Sequence, residues 1–153
     1  MIGRLYTVAI GSQAQTAAKT LIEIASAADS VTLVERLWLK QTSFDTSENL
    51  GIKVQRITTT GTGTATVPEP LQAGDAAFGG TVETNSTIEP TYTSATEILE
   101  DGFNVLSGFL WTPANDDEVI AISPSALLGF SLDVAPSGSM DWSYGATIRE
   151  IGG

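Results

Sequence analysis

The sequence predicts an all-β chain folded as an antiparallel β-sandwich, and three observations predict it. Apolar and polar residues alternate with a period of two over several stretches. Gly, Pro, Asn and Asp clusters separate those stretches, and the Ala-rich window from Ala14 to Ala28 carries no clean 3.6-residue repeat. About eight short strands punctuated in this way form a sandwich or a barrel. The breakers leave room for Greek-key crossovers, so a jelly roll is the leading architecture and an immunoglobulin-like sandwich the second. At 153 residues the chain reads as one domain, long enough to bury a core.

The elements follow in order. Ala14 to Ala28 is Ala-rich, but Thr16, Thr20, Ile22 and Ile24 are β-branched, so Thr20 to Ser26 reads as a strand. From Ser30 to Thr42 the alternation places Val31, Leu33, Leu37 and Leu39 on one face and Thr32, Arg36 and Lys40 on the other. Val34 and Trp38 break the polar face, which marks it as partly covered or as an interface. Glu35 breaks the apolar face and requires a bulge or a local partner. Leu50 to Thr58 is a further strand. Ser94 to Asp101 is either a helical turn, with Ser94 as N-cap and Glu97 at the capping-box position, or an irregular strand. Phe103 to Trp111, Glu118 to Ser123, Ala126 to Val134 and Ser139 to Ile151 complete the set, with Asp101-Gly102, Thr112-Pro113, Ser123-Pro124 and Pro136-Ser137-Gly138 among the breakers.

The stretch from residue 58 to 93 departs from this pattern. It is rich in Thr, Gly and Pro and reads as a long loop excursion, which in a compact domain is either functional or disordered. Leu71, Phe78, Val82, Ile88 and Tyr92 recur along it as anchors, so the excursion is expected to pack on something. With Val34 and Trp38 they are the candidate interface residues. Of the other aromatics, Trp142, Phe103 and Phe130 are expected in the core, and Phe109 and Trp111 share a face that either caps the core or forms a contact patch.

Composition narrows the function classes. Hydrophobic residues make up 42% and charged residues 16%, a globular balance. Against 18 acidic side chains stand 7 basic ones, a formal charge of −11, so neither nucleic acid nor an anionic membrane is an expected partner. The chain has no Cys and no His, which removes thiolate sites together with the commonest general base and metal ligand. A serine nucleophile would need Lys19, Lys40 or Lys53 as its base, and none lies in a Ser-x-x-Lys arrangement. Asn115-Asp116-Asp117-Glu118 lacks the spacing of an EF-hand and reads as a solvated turn, and Thr60-Gly61-Thr62-Gly63-Thr64 as a flexible loop. No enzyme, cofactor or metal is expected. The first residues carry no signal-peptide pattern and no apolar run nears the ~20 residues of a membrane span, so the expectation is a soluble protein made in a cytoplasm.

After an N-terminal strand come Leu21 to Thr42 (LIEIASAADSVTLVERLWLKQT), Gly51 to Gly61 (GIKVQRITTTG), Pro70 to Glu83 (PLQAGDAAFGGTVE), Phe103 to Pro113 (FNVLSGFLWTP) and Glu150 to Gly153 (EIGG). This succession, which spans nearly the whole chain, resembles the small β-sandwich proteins encoded near the major capsid gene of tailed phages. The resemblance implies a jelly-roll capsid decoration, or cement, protein. Such a protein sits on the outer surface of the virion, binds the major capsid protein, and reinforces contacts between capsid subunits. It also implies a homo-oligomer, dimer or trimer, made in the host bacterial cytoplasm. The alternative is a carbohydrate-binding or host-recognition head domain of a phage tail or fibre protein.

Overall fold

The alternating stretches fold as strands. The computed structural model describes residues 3–43 and 47–152, the side chains of residues 94–96 apart. Along the described residues run β1 (Arg4–Gln15), β2 (Thr20–Ala25), β3 (Ser30–Gln41), β4 (Asn49–Thr59), β5 (Thr62–Thr66) and β6 (Glu69–Pro70). There follow β7 (Thr81–Ile88), β8 (Thr91–Asn104), β9 (Phe109–Trp111), β10 (Ile120–Ile122), β11 (Leu127–Leu132) and β12 (Met140–Gly152). Among the described residues there is no α-helix, and Asp116–Glu118 form a 3₁₀ turn.

Two six-stranded antiparallel sheets result. The first has the order β10-β3-β12-β1-β6, with β9 beside β10 on the free edge of β3; the second has the order β5-β7-β2-β11-β4-β8. Within them β1-β12-β3-β9 faces β2-β11-β4-β8, the strand order of a jelly roll. The excursion between β4 and β8 is an insertion that carries its own strands. β7 and β5 extend the second sheet beyond β2, and β6 extends the first beyond β1. The face that β7 buries is Val82, Thr84 and Ser86, mostly polar side chains, which is why no apolar alternation announces the insertion.

Two further stretches differ from the sequence reading, and a third takes one of its two alternatives. Phe103 to Trp111 is not one strand. The chain turns after β8, where Asn104 O accepts from the Ser107 and Gly108 amides at 3.0 Å each, and Gly108 takes φ +74°. Ser94 to Asp101 takes the strand alternative, as part of β8, and the Ser94 side chain lies outside the described residues. In β3 the faces of the first half are exchanged: Ser30, Thr32 and Val34 point into the core, as do Leu37 and Leu39, while Val31 and Leu33 are half-buried on the outside. The register with β12 passes from Val34↔Ile148 to Arg36↔Thr147, so Glu35 is the extra residue of a bulge, and one extra residue reverses the parity.

The core lies between the sheets. Trp142, Tyr144, Leu39 and Ile148 from the first meet Ile22, Ile52, Leu128 and Phe130 from the second. Phe103 meets Trp142 edge to face, with centroids 5.9 Å apart, and Phe109 lies 6.0 Å from Phe130. Trp111 packs half-buried against this cluster, so Phe109 and Trp111 close the core. Each such side chain contributes about 1.5–3 kcal/mol on burial.

Candidate interaction surfaces

The outer face of the first sheet carries a groove. Trp38 lies opposite Gly145 on one side and opposite Leu110 on the other. The contact with Gly145 is close: a Cβ there would stand 2.1 Å from Trp38 Cζ2. That is why the indole lies across β12 without rising from the sheet. The Arg36 guanidinium sits 5.3 Å from the indole centroid, within cation–π range. Arg36, Trp38, Lys40, Gln41, Thr42, Leu110 and Ser143 enclose about 460 Å³, and no acidic side chain lines it. Leu110 is 57% exposed. Beside the groove the Glu35 carboxylate at the bulge receives Arg149 through Nε and, at 3.1 Å, through a second guanidinium nitrogen. That pair leaves Arg36 and Lys40 as the uncompensated cations of the groove among the described residues.

The outer face of the second sheet has the opposite character. Tyr92 lies over Gly129, whose Cβ would meet the ring at 2.8 Å, and its hydroxyl hydrogen-bonds that of Thr20. Burial pushes the Tyr92 phenol up from its ordinary value. Next to it a hollow of about 210 Å³ is lined by Lys19, Lys53, Gln55, Glu89, Ser131 and Asp133, among others. Lys53 pairs with Asp133 at 2.9 Å, Glu97 at 3.5 Å and Glu100 at 3.8 Å, and the Asp133 hydrogen bond is the first cause holding its ammonium above the usual value. Three carboxylates around one ammonium leave an excess of negative charge. Ile98, between Glu97 and Leu99, drops out of register with β4 and is 40% exposed.

The insertion is fastened by side chains that take its backbone, and by carboxylates of its own. Glu150, 2% exposed, accepts from the Gly79 amide at 3.0 Å and from the Ser30 hydroxyl at 3.3 Å, while Tyr6 donates its hydroxyl to Ala76 O at 2.9 Å. Glu23 accepts from the Gly61 amide at 3.1 Å, and Glu89 reaches back to the Thr20 amide at 2.9 Å. Asn85, at φ +53°, accepts from Lys19 Nζ at 2.9 Å and Gln15 Nε2 at 3.2 Å. Pinned in this way, the insertion holds Val67 73% exposed and Leu71 53% exposed, beside an apolar hollow of about 210 Å³ lined in part by Val67, Phe78 and Val82.

The candidate interface residues therefore part company. Val34 is fully buried and faces the core, and Phe78 and Val82 belong to the core, Phe78 edge-on to Tyr6 at 5.4 Å, while these two also line the hollow beside Val67. For Val34 the cause is the Glu35 bulge. For Phe78 and Val82 it is the closure of the insertion over the sandwich edge. Leu71 and Ile88 are exposed, Trp38 and Tyr92 half-buried on opposite outer faces. Ile88 pairs with Thr62, away from the Thr66–Val82 end where Val67 follows. Sequence reasoning missed Leu110 and Val67. The run Phe109-Leu110-Trp111 carried a signal, because three successive apolar residues of a strand cannot all face one core.

Asn115-Asp116-Asp117-Glu118 is an exposed 3₁₀ turn in which Asn115 Oδ1 accepts from the Asp117 amide at 2.9 Å. Among the described residues no group of three or more acidic side chains is placed to hold a metal ion. No helix there is long and apolar enough to cross a membrane. Comparisons with family models, with curated proteins and with solved structures give no match to this chain.

Proposed function

We propose that this chain is a structural protein of a tailed-phage virion, a decoration protein that binds the outer surface of the capsid as a homo-oligomer and reinforces contacts between capsid subunits. The observation that carries this reading is the insertion: a segment pinned by buried Glu150 and Glu23 that holds Val67 and Leu71 out to solvent. Apolar side chains on a rigid support dock with little loss of conformational entropy, and a repetitive lattice multiplies weak contacts into avidity. A chain without Cys or His on a strand-built scaffold suits binding better than bond-breaking. The test is co-sedimentation with heads of the source phage that lack the protein. The wild-type chain is expected in the pellet, and a variant carrying Val67→Asp and Leu71→Asp in the supernatant. A wild-type chain that stays in the supernatant overturns the capsid reading.

A carbohydrate-binding role is the second reading, favoured by the hollow beside Tyr92 with its amide, ammonium and carboxylate groups. A glycan-array signal that disappears with Tyr92→Ala supports it, and a silent array removes it.

A further inference from the structure

We propose that the groove around Trp38 and Leu110 is the seat of a second copy of this chain, which enters it with the β8 bulge at Ile98, between Glu97 and Glu100. The inference deepens the self-association part of the function above and does not depend on the capsid.

Three features of the two faces match. Among the described residues the groove offers two cations without an acidic partner, Arg36 and Lys40, and no acidic side chain in its lining. The β8 segment offers two carboxylates in excess, because Asp133, Glu97 and Glu100 share the single ammonium of Lys53. In a chain of formal charge −11, the groove offers an acidic surface attraction rather than repulsion. The apolar parts also correspond: Ile98 stands out of register on an edge strand, and Leu110 and Trp38 form the walls of the groove.

The two surfaces lie on different sheets, so one copy cannot satisfy its own groove. A two-fold contact of groove on groove would set Arg36 and Lys40 against their own copies. The contact is therefore heterologous, head to tail. Such contacts close into a ring if the rotation between copies allows and otherwise continue as a filament. A strand at a sheet edge with a bulge and flanking carboxylates does not pair freely with other edges, which favours its use as a side-chain knob.

The experiment is sedimentation velocity on the purified chain over a range of protein and salt concentrations. Oligomers are expected at low salt, with weaker association as salt rises. Leu110→Glu places a carboxylate in the groove opposite Glu97 and Glu100, and Ile98→Asp removes the knob. Each variant alone is expected to be monomeric, with dissociation constants raised at least about tenfold. An equimolar mixture is expected to form heterodimers and nothing larger, since it holds one intact groove and one intact knob per pair. A wild-type chain that stays monomeric overturns the proposal and leaves the co-sedimentation test of capsid binding standing. So do oligomers that persist in either variant, or a mixture that stays monomeric. Should Leu110→Glu fail to fold, the pair Arg36→Gln and Lys40→Gln, on exposed side chains, serves in its place. Association unaffected by that pair overturns the proposal equally.

Discussion

Trp38 and Gly145 face each other across the β3–β12 ladder, and the missing side chain of one is what seats the indole of the other. The same relation recurs on the second sheet between Tyr92 and Gly129. A Cβ at position 145 would stand 2.1 Å from the indole and 2.2 Å from the Val8 carbonyl oxygen. The indole can move, but the backbone of β1 cannot. Gly145→Ala is expected to destabilise the fold by about 3 kcal/mol, the upper range of overpacking. Gly129→Ala meets mainly side-chain atoms, at 2.8–3.0 Å, and is expected to cost about 1–2 kcal/mol. Urea unfolding of the two variants checks the order, and a red shift of tryptophan emission in Gly145→Ala checks its cause.

Glu150 joins the insertion to the body of the sandwich. Its carboxylate is 2% exposed and takes the Gly79 amide at 3.0 Å, with Arg4 at 3.8 Å. Glu150→Ala leaves the Gly79 and Ser30 donors without their acceptor and is expected to cost about 3 kcal/mol. Glu150→Gln keeps an acceptor oxygen and is expected to cost roughly half of that. Hydrogen exchange reports the local consequence: amides of residues 76–80 exchange faster in Glu150→Ala, while those of β12 keep their protection. Equal loosening of both would show that the carboxylate holds the whole sheet and not the insertion.

Tyr144 is expected to contribute most to the loss of stability at alkaline pH. It is 0% exposed, and burial pushes its phenol from 10.0 up to about 12. Burial raises Tyr6 and Tyr92 as well. The unfolded chain loses these protons from about pH 10 upward while the folded chain keeps them, so ionisation favours the unfolded state. The stability linked to Tyr144 is complete below pH 10 and declines between about pH 10 and 12. Tyr144→Phe is expected to flatten that decline. At pH 7 it should change stability by less than about 1 kcal/mol, since the hydroxyl makes no well-formed hydrogen bond among the described residues, the Thr84 side chain beside it offering only a weak one. Unfolding free energy measured across pH in both chains decides it.

What the sequence made legible is what hydrophobic burial controls. Ile22 and Ile24 in β2, Ile52 and Val54 in β4, and Leu128, Phe130 and Leu132 in β11 alternate because one face of each strand meets the core. What stayed hidden depends on backbone geometry or on contacts between distant residues. Period two carried through Glu35 puts Val34 on the outer face, whereas the backbone adds a residue there and turns it inward. β5 has no apolar side chain except Ala65, so its pairing rests on backbone hydrogen bonds that side-chain periodicity cannot report. The groove at Trp38 needs Leu110 from a strand 72 positions away, a proximity fixed by the β3–β9 register alone.

The bulge at Glu35 offers the sharpest test of the fold itself. Val34 and Leu37 both face the core, and Arg36 between them faces out. Deleting Glu35 therefore restores strict alternation without moving any core side chain to the wrong face. Its cost is the loss of the carboxylate that receives Arg149, whose side chain is 10% exposed, an expected penalty of about 2 kcal/mol. Inserting one alanine after Leu37 has the opposite geometry. It turns Leu39 out of the core and Lys40 in, exchanging a fully buried leucine for a charge, and is expected to cost more than about 4 kcal/mol. Thermal unfolding of the two chains is the measurement. A deletion as damaging as the insertion would mean that Glu35 is held in the ladder by its side chain and is not the extra residue of a bulge.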